Sequence, residues 1–137
     1  MPSTKRYILF KKIASGGMAE IFLAKTVGTD GFERPCCIKR ILPHHSKNKN
    51  FIKMFRDEAH ICKRLQHTNI VRVEGFEEIA GSYAIIMEYV SGFDLRKLLY
   101  QCDKKKVKLQ IPIILYIIAE SARGLDYAHS KSDDLSG

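Results

Sequence analysis

Apolar and β-favouring residues cluster in short runs along the first ninety residues, separated by turn-forming residues, and the period changes after that. Tyr7 to Ile13 predicts a first strand, Ala14-Ser15-Gly16-Gly17 a turn, and Ala19 to Lys25 a second strand that closes a hairpin. Gly28-Thr29-Asp30-Gly31 predicts another turn, and Pro35 to Leu42 a third strand ended by Pro43. A polar connection leads to about residue 50, and Phe51 to Gln66 carries helical spacing. Val71 to Ile79 and Ser82 to Val90 predict two more strands across an Ala80-Gly81 turn. Ser91-Gly92 breaks the pattern before a short helix beginning near Asp94, with Leu95, Leu98 and Leu99 at helical spacing. A long helix follows Pro112 and continues to about His129, and Ser130 to Gly137 are polar and small. Five strands with one inserted helix, then two helices, describe an α+β fold with a five-stranded antiparallel sheet.

Composition narrows the class. The 137 residues are 45% hydrophobic and 28% charged, the balance of one compact globular domain. The longest apolar run, Ile111 to Ala119, is about half of the ~20 residues that span a bilayer. The apolar run at Tyr7 is too short for the core of a signal peptide, so a cytoplasmic protein with no membrane segment is expected. None of the four cysteines forms a Cys-x-x-Cys pair, and the five histidines give no helical metal pair, so no metal site is expected. The cysteines read as small buried apolar residues. The net charge of +8 gathers in Lys47 to Lys53 and in Lys104-Lys105-Lys106 with Lys108. Solvated loops account for it, and attraction to an anion is the sharper reading. No aromatic-basic interleaving accompanies it, which argues against nucleic acid as the partner.

Three features bear on chemistry. Gly16-Gly17 is followed by the β-favouring run Glu20-Ile21-Phe22-Leu23-Ala24, not by a helix, which excludes a P-loop or dinucleotide turn. A glycine hairpin remains, able to cover phosphates with backbone N–H groups or to be purely structural. On the third strand, alternation puts Lys39 on the same face as Cys37 and Ile41, where it needs an anionic partner or an escape to solvent. On the helix, angles measured from Glu58 put Phe51 at about +20°, Cys62 at about +40°, Leu65 at about −20°, Met54 at about −40°, and Phe55 and Ile61 at about ±60°. Glu58 thus falls at the centre of the apolar face, and a carboxylate there demands a partner. Lys39 is the natural one. A buried Lys39–Glu58 pair beside a glycine hairpin suits phosphate positioning, with a purely structural ion pair as the alternative.

With these residues in place, Ile13-Ala14-Ser15-Gly16-Gly17-Met18-Ala19-Glu20-Ile21, Cys36-Cys37-Ile38-Lys39, Glu58 and Met87-Glu88-Tyr89-Val90-Ser91-Gly92-Phe93-Asp94 resemble the N-terminal lobe of the protein kinases. The bacterial members of the eukaryotic-like Ser/Thr kinase family are the most similar. His67-Thr68-Asn69-Ile70-Val71 and Gly124-Leu125-Asp126-Tyr127-Ala128-His129 extend the resemblance to nearly the whole chain. It implies an N-lobe with hinge over about residues 7–90 and the start of a C-lobe over 91–137. It further implies that Lys39 contacts the α- and β-phosphates of ATP and pairs with Glu58. The backbone of Ser15, Gly16, Gly17, Met18 and Ala19, after Ala14, would cover the phosphates. Ile13, Ile21 and Cys37 would sandwich the adenine, with Met87 at the back. The backbone of Glu88 and Val90 would bind the adenine edge, and Asp94 the ribose. The implied activity is transfer of the ATP γ-phosphate to hydroxyls of a protein substrate.

Departures from the pattern set further expectations. Ala14 and Ala19 stand where the family's phosphate loop has its first and third glycines, which would reduce nucleotide affinity if φ were positive there. Cys37 replaces the usual alanine. The catalytic loop (His-Arg-Asp, then Asn) and the Mg²⁺-binding Asp-Phe-Gly do not occur within the 137 residues, so Mg²⁺ is expected only of the complete domain. Ile113, Ile114, Leu115, Ile117 and Ile118 make the last helix apolar almost all round, as in a helix buried on most sides, and that burial is expected to need residues beyond these 137. Together these suggest a truncated gene product or an incomplete sequence, with phosphoryl transfer not expected of the chain alone. A non-catalytic, pseudokinase-like module that binds nucleotide or protein is the rival reading.

Overall fold

The computed structural model describes residues 6–133. They form two compact units, 6–66 with 71–89, and 67–70 with 90–133. The first unit holds five strands: β1 (Arg6–Ser15), β2 (Ala19–Val27), β3 (Glu33–Ile41), β4 (Val73–Ile79) and β5 (Ser82–Glu88). A short 3₁₀ turn (Pro43–His45) and the helix α1 (Lys49–Arg64) lie between β3 and β4. The sheet runs β1-β2-β3-β5-β4, every pairing antiparallel. The second unit holds α2 (Leu95–Lys104) and α3 (Ile111–Asp133).

Element boundaries follow local chemistry. Helix α1 begins two residues earlier than its apolar spacing indicates, because the Asn48 side chain accepts from the backbone N–H of Asn50 and Phe51, both at 3.1 Å. Asp94 does the same for α2, accepting from the Lys97 N–H at 2.7 Å. Strands β4 and β5 are shorter than their apolar runs. The Glu88 N–H still donates to the Arg72 carbonyl at 3.0 Å, but the Glu88 carboxylate takes the Arg72 N–H at 2.7 Å, where a ladder would need a carbonyl. The polar tail expected from Ser130 is helical to Asp133; residues 134–137, and residues 1–5 at the start of the chain, lie outside the described residues.

Alternation on β3 divides the core in two. Ile41 joins Ala19, Phe55, Ala59, Val73 and Ile85 beneath α1, while Cys36 and Ile38 join Ala24, Ala84 and Ile86 on the opposite face. The α1 side is laced by rings. His45 stacks on Phe51 at 4.7 Å, Phe51 lies 6.4 Å from Phe55, Phe55 meets Phe76 edge-on at 6.1 Å, and Phe76 stacks on Tyr83 at 5.4 Å. On the other face Tyr7 donates to Glu77 at 2.8 Å, joining β1 to β4.

In the second unit, His67 Nδ1 accepts from the Asn69 N–H at 3.0 Å. The Asn69 amide donates to the Glu120 carbonyl at 2.9 Å and to its carboxylate at 2.8 Å. A Cβ on Gly124 would sit 3.4 Å from Asn69, so the glycine permits this approach. The two short motifs noted at His67 and Gly124 are therefore packed together. The apolar girth of α3 is only partly covered: Ile113, Ile114, Leu115 and Ile118 are exposed among the described residues.

The β4–β5 turn places Ala80 at φ 52° and Gly81 at φ 75°, both left-handed, as a two-residue hairpin of right-twisted strands requires. Glycine carries no penalty there and alanine does. Ala80→Gly is expected to stabilise the protein by about 1 kcal/mol in urea denaturation, whereas the same change in an exposed strand position would destabilise.

Candidate functional site

Lys39 and Glu58 meet. The Lys39 Nζ lies 2.6 Å from Glu58 Oε1, and the ammonium sits 5.5 Å from the centre of the Phe55 ring. Pairing in the sheet explains the placement of Lys39: it is opposite Ile21 on β2 and Ile85 on β5, pointing to the α1 side. The pair is not buried, which corrects the expectation from sequence. The side chains retain 29% and 46% exposure. The cause lies in α1. Phe55 and Ala59 are buried, with Phe51, Ile52 and Cys62 packed against the same cluster, while Met54 and Ile61 remain more than half exposed. The covered arc is therefore centred about 70° from Glu58, and only half of the apolar face is seated on the sheet. Glu58 stands at the border, able to reach a sheet lysine and water together. Cys62, one turn on, has its thiol pushed up by burial and then by the Glu58 charge, with Lys39 opposing.

The glycine hairpin joins β1 to β2 through Gly16, Gly17 and Met18. Its turn is closed by the Gly16 N–H on the Ala19 carbonyl at 2.8 Å. Two further bonds tie the tip to the segment after β3: the Leu42 N–H donates to the Met18 carbonyl at 3.2 Å, and His45 Nε2 lies 3.3 Å from the Gly17 carbonyl. Neither Ala14 nor Ala19 has positive φ, so the cost expected of alanine at these positions does not arise. The Ala19 methyl is buried in the core beneath α1, where a glycine would leave a gap.

The other predicted positions are distributed as follows. Cys37 is buried and in register with Leu23 and Met87, so Cys37 and Met87 adjoin Ile21 and Lys39 on one face of the sheet. Burial pushes the Cys37 thiol up. Ala14 pairs with Ile21 and Ser15 with Glu20; Ile13 and Met18 are exposed. In the second unit Val90 is exposed and Asp94 caps α2. Among the described residues no group of three or more His, Cys, Asp or Glu is placed to hold a metal ion. No described helix is long and apolar enough to cross a membrane.

Sequence reasoning missed His45, whose contact with Gly17 depends on a 3₁₀ turn that no period announces. It also missed the partners of Glu20, although the alternation that placed Lys39 would have set Glu20 beside Phe22 and Ala24 on the opposite face.

Comparison with known proteins gives a consistent answer. The family model described as protein tyrosine and serine/threonine kinase matches residues 7–132. The chain is 44% identical over 128 residues to the tyrosine-protein kinase MasK of Myxococcus xanthus, covering 93% of this chain and 20% of that protein. It is 36% identical over 92 residues to the serine/threonine-protein kinase PrkC of Bacillus subtilis, covering 67% of this chain and 14% of that one. The crystal structure of the Mycobacterium tuberculosis PknI kinase domain superposes with a TM-score of 0.67 at 27% identity, over 92% of this chain in a mutant form of which the chain spans 49%.

Half-exposed ion pairs are worth ~1 kcal/mol or less. Glu58→Ala is therefore expected to lower stability by no more than about 1 kcal/mol in urea denaturation. A loss several times larger would mean that the pair is a structural support of the fold.

Proposed function

Because the chain belongs to the protein tyrosine and serine/threonine kinase family, we propose that it forms the ATP-binding portion of a Ser/Thr protein kinase that transfers the ATP γ-phosphate to protein hydroxyls. The observation that carries the proposal is the Lys39–Glu58 contact at 2.6 Å. A lysine held by a carboxylate presents an oriented cation to phosphate oxygens, and the remaining exposure of the pair leaves room for them.

The remaining roles are carried over from the family resemblance. The first unit (6–66 with 71–89) is read as the N-lobe and the second as the start of the C-lobe. The backbone of Ser15 to Ala19 covers the phosphates, with Ala14 at the end of β1 leading into the turn. Ile13, Ile21 and Cys37 pack the adenine ring, with Met87 behind. The Glu88 N–H is occupied by Arg72, so its contact with the adenine edge uses the carbonyl. Val90 contributes its backbone. Asp94, whose Oδ1 caps α2, offers Oδ2 to the ribose. Mg²⁺, which the family uses with ATP, would neutralise phosphate charge when bound with the nucleotide. The four free cysteines and the need for ATP favour a cytoplasmic setting.

The higher identity to MasK than to PrkC favours a second reading of the acceptor, in which tyrosine takes the phosphate. Phosphoamino-acid analysis of substrate labelled by the full-length protein separates the two. A non-catalytic nucleotide-binding module would bind ATP with no product of either kind.

Lys39→Met keeps the length and apolar stem of the side chain and removes its charge. It is expected to abolish measurable ATP binding by calorimetry while leaving the far-ultraviolet circular dichroism unchanged. ATP affinity equal to that of the wild type would contradict the proposal.

A further inference from the structure

Glu20 is the one charged residue buried among the described residues, with 8% side-chain exposure. Its Oε2 lies 2.8 Å from Lys12 Nζ on β1, and its Oε1 accepts from Arg40 Nη2 on β3 at 3.0 Å. The Phe22 ring lines the same face, 4.7 Å from the Arg40 guanidinium and 6.0 Å from the Lys12 ammonium. The hydrogen bonds from Lys12 and Arg40 hold the carboxyl below its usual range against the opposing effect of burial. One carboxylate thus ties three strands together.

Its position in the sheet gives that tie a consequence. Glu20 pairs with Ser15 on β1 and with Arg40 on β3; the neighbouring residues Ile21 and Lys39 pair with each other on the opposite face. Strand β1 is an edge strand with register shifts between Leu9 and Lys11 and between Lys12 and Ala14. Such irregularities leave residues unpaired and disrupt the ladder locally. Lys12 stands at the second shift, four residues before Gly16, and there its ion pair adds a constraint to the disrupted ladder. Without Glu20, the two cations would face each other across a half-buried ring.

We infer that Glu20 is a positioning residue for the nucleotide phosphates, fixing from the far face of the sheet both the stem of the Gly16-Gly17 hairpin and the register of the strand that carries Lys39. The inference rests on the nucleotide-binding reading above. It assigns Glu20 no contact with the nucleotide, and its effect falls more heavily on the phosphates than on the adenine.

Binding of magnesium-ATP and of adenosine to the whole chain tests this, because a merely structural role would move the two together. Glu20→Gln, nearly isosteric but uncharged, is expected to weaken ATP binding about tenfold and adenosine binding no more than about twofold. Tyr7→Phe, which removes the bond from the other end of β1 to Glu77, serves as the control that perturbs the sheet without changing the ratio of the two affinities. If Glu20→Gln fails to fold, Lys12→Gln carries the same expectation, since it removes the β1 arm and keeps Glu20 paired with Arg40. Equal losses for ATP and adenosine, or no loss for ATP, overturn the inference while Lys39→Met still abolishes binding. A wild-type chain that binds no ATP overturns the nucleotide reading and this inference with it.

Discussion

Two adjacent cations on β3, Lys39 and Arg40, leave the strand on opposite faces, and each finds a carboxylate on its own side. That follows from the two-residue period of a β-strand and cannot be relaxed without breaking the ladder. On the α1 face the partner is Glu58, with half its surface open; on the other it is Glu20, almost fully enclosed. A shift of one residue in the pairing of β2 with β3 would exchange the two cations and place each against the wrong environment. The ion pairs and the two apolar clusters therefore specify the same register, which is the kind of agreement between levels that gives a sequence one structure.

The helix shows how a site differs from a core. The apolar arc of α1 is broad, and the sheet covers the side that carries Phe55 and Ala59, leaving Met54 and Ile61 exposed. Had the arc been seated on its centre, Glu58 would be buried, and the cost of desolvating a Lys–Glu pair would make it hard to open toward a third charged group. At the border of the covered arc the carboxylate is fixed by one short contact and remains wet. A lysine oriented in this way can exchange water for phosphate oxygens with little rearrangement.

Much of this was legible in the sequence because it depends on period and punctuation. The five strands, the inserted helix, the Ala80-Gly81 turn and the meeting of Lys39 with Glu58 follow from spacing alone. What could not be read depends on which part of an apolar face is covered, and that is decided by packing. The angular centre of the α1 face is the same whichever part of it meets the sheet, so the sequence pointed to a buried Glu58 and the structure has it half exposed. Side-chain capping was similarly hidden in the helix start at Asn48, where a polar residue outranks the first apolar one. The alanines of the hairpin show the reverse. The family pattern suggested a conformational cost at Ala14 and Ala19, and the backbone there is ordinary, with the Ala19 methyl used in the core.

The central claim is that Lys39 and Glu58 act on nucleotide as one unit, and a double-mutant cycle on ATP affinity measures that directly. Lys39→Ala, Glu58→Gln and the double change would be compared by ligand-observed NMR titration at low salt, which quantifies affinities too weak for calorimetry. The account predicts that once Lys39 is removed, the further change Glu58→Gln has no effect, giving a coupling of about 1 kcal/mol or more. Strictly additive losses would mean that the two residues influence ATP independently, and would contradict the account.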